Sequence, residues 1–580
     1  MRETAEVKGA ATNGAETLLC ALRVMGVERI FASPGSDWAP VWEALARPDA
    51  AAAFPSYTSS RHEETAIAMA SGYAKATGRL PAVILHTTVG ALHATMAMRA
   101  ALHERVPMVV LAGESVAFAA PGAPEVGRQW LRLLADTGGP ARLVESCAKC
   151  SLGLNAGATL GASIVRACQL AMAVPRGPVF VSVPMEMLLH PAQGELPAAV
   201  YPRMASADAA SVRELAAALV EARNPILITE ELGKSPDAVP PLVELAEALG
   251  APVFEAWHPD YVNFPRGHAL YGGIAVEEMP SLVEEADLVF LVEAVAPWHP
   301  PGSLPRAGTR VATLGEDPLH SRLPLWNFRA DLVVTGEAGA SLAAIVEEVR
   351  RALPAGSRRA ATERWSERNA RVRQSWRDEA LACARREPID TRWVMHELNA
   401  LLPRDAIVVN ETITHRIHMH RLLDRLEPGD FYESSYGGLG MGLGTALGIK
   451  AAHPTRPVVV LMGDGALHYN PVVASFGAAQ EHGLPLMVVL FDNSGYLSQK
   501  GDVVHEFPHG HAVKSGRFVG TSISPRPDYP LLARAYGGWG ERVESPHDLR
   551  EVAARGLAAA AHGQLALVHV VLAPVNPGPS

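Results

Sequence analysis

The chain has 580 residues, 48% of them hydrophobic and 19% charged, with a formal charge of −10. A single core rarely grows past about 250–300 residues, so two to four domains are expected. The composition excludes a disordered chain, and the acidic balance argues against a nucleic-acid partner, which needs a basic footprint.

No apolar run reaches the roughly 20 residues of a membrane span, and Met1–Asn13 shows no apolar leader segment. The five cysteines, at 20, 147, 150, 168 and 383, are odd in number and poorly spaced for a disulfide framework. A cytoplasmic protein without a membrane partner is therefore expected. Cys147-x-x-Cys150 is a single pair, short of the second pair or histidines that a zinc site uses.

Short apolar runs alternate with helix-length, alanine-rich segments in chain order. The runs are 82–85, 108–112, 179–183, 225–228, 288–292, 406–410, 458–462 and 486–491. Such runs predict strands buried on both faces, and the segments between them predict crossover helices. Breaks at 187–208 and 354–390 divide the chain into three α/β domains, 10–187, 208–354 and 388–575. Each is predicted to be a doubly wound parallel sheet.

The first domain carries Ser33-Pro-Gly-Ser36, then Arg61-His62-Glu63-Glu64 before an alanine-rich helix, then Leu85-His86-Thr87-Thr88. A glutamate at a helix start can simply complement the dipole, and a turn serine is unremarkable. In the middle domain Thr229-Glu-Glu-Leu-Gly233 follows the strand 225–228 with paired acids rather than a glycine cluster. The paired acids would repel a diphosphate. Trp298-His299 follows the strand 288–292.

The third domain is the most informative. Asn410-Glu411-Thr412-Ile413-Thr414 follows one strand and is expected to open a helix, where a hydroxyl and free N–H groups can hold phosphate or simply cap. Gly437-Gly-Leu439-Gly440 continues to Gly444 and could suggest a nicotinamide site. It does not open the first βα unit and lacks the acidic residue that such a site needs. Gly463-Asp464-Gly465 follows the strand 458–462, and after 26 intervening residues comes Asp492-Asn493-Ser494-Gly495. A carboxylate and an amide oxygen at neighbouring strand ends suit Mg²⁺, and the glycines admit backbone N–H groups to a diphosphate.

This pairing resembles the diphosphate–metal motif of the thiamine diphosphate enzymes, Gly-Asp-Gly, a spacer and Asn-Asn. Here Asp492 replaces the first Asn. From about residue 14 to 573 the chain is similar to the decarboxylase and acetolactate synthase type of that family. Details of Ser33–Ser36, Leu85–Gly90 and Gly437–Gly440 resemble the benzoylformate decarboxylases, whereas Arg61-His62-Glu63 looks more like the acetolactate synthases.

The resemblance implies a pyrimidine-binding domain, a Rossmann-like middle domain and a diphosphate-binding domain. It implies that Glu63 activates the cofactor and that Asp464, Asn493 and the Gly495 carbonyl hold Mg²⁺. Thr414, Gly437, Leu439, Gly465, Ala466 and Asn493 would line thiamine diphosphate, with Leu439 wedged beneath it. Ser36, His86 and His299 would meet the substrate carboxylate and move protons. The acetolactate synthase flavin pattern Arg-Phe-Asp-Asp-Arg is missing, so FAD is not expected. The implied reaction is non-oxidative decarboxylation of a 2-oxo acid. The alternatives are a carboligase or 2-hydroxyacyl-CoA lyase acting on an oxo acid or aldehyde, or a non-catalytic protein of the same fold. Sites shared by two subunits imply a homodimer or homotetramer.

Overall fold

Runs that are apolar throughout cannot leave a face in water, and they become interior strands of three sheets. The computed structural model describes residues 11–114, 121–126, 138–192, 196–197, 200–274, 279–298, 305–434 and 438–573. The first sheet comprises β1 (Arg29–Ser33), β2 (Ser56–Ser59), β3 (Ala82–Leu85), β4 (Met108–Glu114), β5 (Cys150–Gly153) and β6 (Pro178–Pro184). Its order is β2-β1-β3-β4-β6-β5.

The second sheet comprises β7 (Pro225–Thr229), β8 (Val253–Glu255), β9 (Tyr271–Ile274), β10 (Leu288–Val292), β11 (Arg310–Gly315) and β12 (Leu332–Thr335). The third comprises β13 (Ile407–Glu411), β14 (Phe431–Glu433), β15 (Val458–Gly463), β16 (Met487–Asp492), β17 (Trp539–Val543) and β18 (Ala566–Val571). Their orders are β12-β11-β10-β7-β8-β9 and β14-β13-β15-β16-β18-β17.

All pairings within these sheets are parallel. The α/β class of three parallel sheets expected from the sequence is the one observed. The first and third sheets have the same order of strands, with a reversal beside their first strand. The second has the order of a dinucleotide-binding sheet. In open sheets of this kind, ligands bind beyond the carboxyl ends of the strands at the reversal.

The described residues fall into two units. One is drawn from 1–203, 436–455 and 468–486, the other from 204–435, 456–467 and 487–580. In the first, a core including Leu18, Ile30, Trp38, Ile84, Val109 and Val181 packs the sheet against its helices. The second contains separate cores for the second and third sheets. Among the described residues no helix is long and apolar enough to cross a membrane.

Candidate active site

The carboxyl edge of the first sheet gathers three of the expected residues. Ser33, Leu85 and Ala112 lie in one row across β1, β3 and β4. Ser36 opens a single turn, Ser36–Trp38, directly after β1 and is exposed. His86 follows β3, and its Nδ1 lies 2.6 Å from Asp37 Oδ1. Glu63 is the first residue of the helix Glu63–Thr77, whose start is capped by His62: the ring Nδ1 accepts the Glu64 N–H at 3.2 Å.

That acceptor role requires a neutral ring, and burial lowers the His62 pKa accordingly. Glu63 is mostly covered, with its Oε2 3.3 Å from His93 Nδ1. The His62 and His93 rings stack with centroids 5.7 Å apart. Ligating atoms of His62, Glu63 and His93 lie within 4.8 Å of one another. Glu63 and His86 flank Gly90: a Cβ added there would lie 3.4 Å from both Glu63 Oε1 and His86 Cβ. Neither Asp37 nor His93 stands out in the sequence. Their signal is only proximity, Asp37 to Ser36 and His93 to the end of the helix that follows His86.

At the third sheet Asp464 directly follows β15, and Asp492 ends β16. Gly463 pairs with Phe491, so the two motifs are neighbours across the ladder. Asp464 is buried, and its two oxygens accept the N–H groups of Gly465 and Gly495, both at 2.9 Å. The Gly495 N–H is shared with Asn493 Oδ1 at 3.2 Å. One donor thus draws together a carboxylate oxygen and an amide oxygen. Asn493 Nδ2 faces His415 Nε2 at 3.5 Å, which turns the amide oxygen toward Asp464. Gly495 admits no larger residue, because a Cβ would come 2.2 Å from the Thr521 carbonyl oxygen.

Burial, with the negative charge of Asp492 added, raises the Asp464 carboxyl above the ordinary range despite its two N–H bonds. Burial acts on Asp492 in the same sense, but His569, the Ser494 N–H and Arg526 hold it low. His569 Nε2 and Arg526 Nε each lie 2.7 Å from Asp492 Oδ2. The substitution of Asp for Asn at 492 is thereby satisfied within the protein. Asp464 is left as the buried carboxylate that a cation would stabilise. The converging donors are all oxygen, which fits a hard cation such as Mg²⁺. Arg526 and His569, 34 and 77 residues beyond Asp492, carry no local signal in the sequence.

One expectation is adjusted, and two expected residues fall elsewhere. The segment after β13 does not open its helix at once: the helix is Arg416–Leu422, and Thr414 stands two residues before it, partly buried. The polar stretch 497–525 forms helices Leu497–Glu506 and His511–Ser515, and its end returns to the metal motif, with the Tyr496 N–H on the Thr521 carbonyl at 2.8 Å. Leu439 is partly buried, and Gly465 and Ala466 lie buried in the helix that Asp464 starts. His299 and Gly437 lie outside the described residues.

In the second sheet the reversal lies between β7 and β10. There Glu230 Oε2 accepts the N–H groups of Val295 and Ala296, at 2.6 and 2.8 Å. Glu293 Oε1 accepts the Glu316 N–H at 2.8 Å, and its Oε2 pairs with Lys234 at 2.7 Å. Carboxylates thus take up backbone N–H groups at the carboxyl ends of β10 and β11.

Paired parallel sheets of one order, with an oxygen-donor site at the carboxyl ends of two neighbouring strands of the second of them, define a class, and comparison with known proteins agrees. Residues 12–124 match the N-terminal TPP-binding domain of the thiamine pyrophosphate enzymes, and residues 413–570 match the C-terminal one. The chain thus carries the N- and C-terminal TPP-binding domains of a thiamine diphosphate-dependent enzyme, a decarboxylase or carboligase.

Benzoylformate decarboxylase of Pseudomonas aeruginosa is 28% identical over 533 residues, covering 89% of this chain and 91% of that one. The acetolactate synthase isozyme 2 large subunit of Escherichia coli is 25% identical over 543 residues, covering 92% and 91%. The solved 4-hydroxybenzoylformate decarboxylase of Rhodococcus jostii RHA1 superposes with a TM-score of 0.77 at 25% identity, covering 97% of this chain and 99% of that one.

Proposed function

We propose that this enzyme is a Mg²⁺- and thiamine diphosphate-dependent, non-oxidative decarboxylase of a 2-oxo acid. The observation that carries the reading is the convergence of Asp464 Oδ2 and Asn493 Oδ1 on one N–H at the carboxyl ends of β15 and β16, which fits a divalent cation. The decarboxylase relatives and the Ser36–His86 edge support the choice of reaction.

Thiamine diphosphate supplies a carbon nucleophile and an electron sink for a carbonyl carbon. In this reading Glu63 holds a proton at the cofactor's pyrimidine nitrogen. Asp464, Asn493 and the Gly495 carbonyl bind the metal. Thr414, Gly465 and Ala466 hold the diphosphate, and Gly437 and Leu439 border the rings. Ser36 orients the substrate carboxylate, while His86 and His299 move protons at the product end. The carboxylates at the β7–β10 reversal disfavour a flavin diphosphate, so the enzyme works without FAD. The active form is a cytoplasmic homodimer or homotetramer, with Glu63 of one subunit serving the metal site of another.

A second reading, a carboligase, is favoured by the Arg61-His62-Glu63 turn and the acetolactate synthase relatives. Product analysis separates them. Benzoylformate should yield an aldehyde and CO₂. A hydroxy-keto product from pyruvate, with no free aldehyde from any 2-oxo acid, would favour the carboligase.

A further inference from the structure

Three consecutive residues after β1 do different things. Ser36 faces solvent, whereas Asp37 and Trp38 are fully buried and grip the chain beyond β3. Trp38 Nε1 donates to the Leu85 carbonyl at 2.7 Å. Asp37 Oδ2 accepts the Thr87 N–H at 3.3 Å, and Oδ1 lies 2.6 Å from His86 Nδ1. The segment 85–87 is thus held at three successive residues by one short turn.

Two glycines make the arrangement possible. A Cβ on Gly35 would sit 1.9 Å from His86 Nδ1, and one on Gly113 would sit 1.8 Å from Asp37 Oδ2. The turn after β1, the start of the segment after β3 and the end of β4 are therefore all shaped around one carboxylate–imidazole pair. The His86 side chain keeps 19% of its surface exposed, while Asp37 keeps none. Among the described residues, Glu63 is a further charged group near His86, across Gly90.

A buried carboxylate needs donors, because leaving it unpaired in a low-dielectric site is costly. Asp37 draws on the Thr87 N–H and on the imidazole. We propose that Asp37 is a positioning residue for His86: its carboxylate accepts the Nδ1–H, so the neutral ring carries its proton on Nδ1 and presents the Nε2 lone pair to the site. When Nε2 takes a proton, the same carboxylate stabilises the imidazolium. The catalytic consequence rests on the reading of His86 as a proton-transfer group.

The test compares wild type with Asp37→Asn and His86→Ala as full-length holoenzymes. Long-range ¹H–¹⁵N spectra of histidine-labelled protein, assigned with His86→Gln, report the tautomer. Wild-type His86 should be protonated on Nδ1, and Asp37→Asn should move the proton to Nε2. Turnover of benzoylformate should fall about 100-fold in kcat with KM little changed. The losses in Asp37→Asn and His86→Ala should not multiply in the double variant.

A wild-type ring protonated on Nε2 overturns the proposal, even if Asp37→Asn does not fold. So does an Asp37→Asn protein with an unchanged tautomer, or losses that multiply. Full turnover in His86→Ala overturns the role given to His86 above and leaves the tautomer assignment standing on its spectrum.

Discussion

Replacing Glu63 by Gln removes a proton site while keeping the shape of the side chain. In the proposed reaction kcat falls about 10²- to 10⁴-fold. Thiamine diphosphate and Mg²⁺ binding, followed by calorimetry, stays near the wild-type value, because the metal donors proposed above are Asp464, Asn493 and the Gly495 carbonyl. Equal loss of cofactor binding would show that Glu63 acts structurally. Glu63, Asp464 and Asn493 are legible in the sequence because each follows or closes a recognisable element with glycines or charges at fixed offsets. Asp37 and His93 are not, since what singles them out is a contact over 49 and 30 residues respectively. Arg526 and His569 are hidden for the same reason. They complete Asp492 from distant strands and loops, and only the folded sheet brings them there.

The strands legible in the sequence are those whose apolar runs are buried on both faces. Each strand read from the sequence is an interior strand of its sheet, such as β3, β10 or β15. The edge strands β2 and β9 were not, because Ser56–Ser59 is only partly buried and Tyr271–Ile274 contains two glycines. Helix packing was equally silent. The helices Glu63–Thr77 and Gly442–Ala452 meet through glycines: a Cβ on Gly448 would lie 1.9 Å from the Met69 carbonyl oxygen, and one on Gly72 2.0 Å from that of Thr445.

Overpacking costs about 1–3 kcal/mol, so Gly448→Ala should lower the unfolding free energy measured by denaturant titration by about that amount. A second expectation concerns His418 in the helix Arg416–Leu422. Burial, helped by the charge of Arg392, pushes its pKa down to about 4 from the ordinary 6.5. Between those values the unfolded chain carries the extra proton. Stability should therefore fall as pH drops through that window and be unaffected by this group above it. At pH 5 the loss is about 1–2 kcal/mol, discounted for partial exposure. His418→Gln should remove about that much of the loss of unfolding free energy between pH 7 and pH 5. An unchanged slope would show that the ring titrates normally.

At the scale of the whole molecule, the length is explained by two sheets of one order and a third with a dinucleotide order whose reversal is filled by its own carboxylates. The charge of −10 does not oppose a diphosphate ligand, because in the proposed site a metal and local N–H groups would neutralise it where it binds. Complementation tests the sharing of sites between subunits. Glu63→Gln and Asp464→Asn are each expected to be inactive. Co-expressed, they pair randomly, and each mixed dimer has one intact site and one doubly altered site. Activity should return to about a quarter of wild type. Sites built within single chains would give none.

The account's central claim is the reaction itself. The direct measurement is CO₂ and aldehyde release from benzoylformate and related 2-oxo acids by the Mg²⁺–thiamine diphosphate holoenzyme. The prediction is that at least one of these acids gives CO₂ and aldehyde in equal amounts, and that Glu63→Gln abolishes both. Absence of CO₂ release from every 2-oxo acid tried, with cofactor bound, would contradict it.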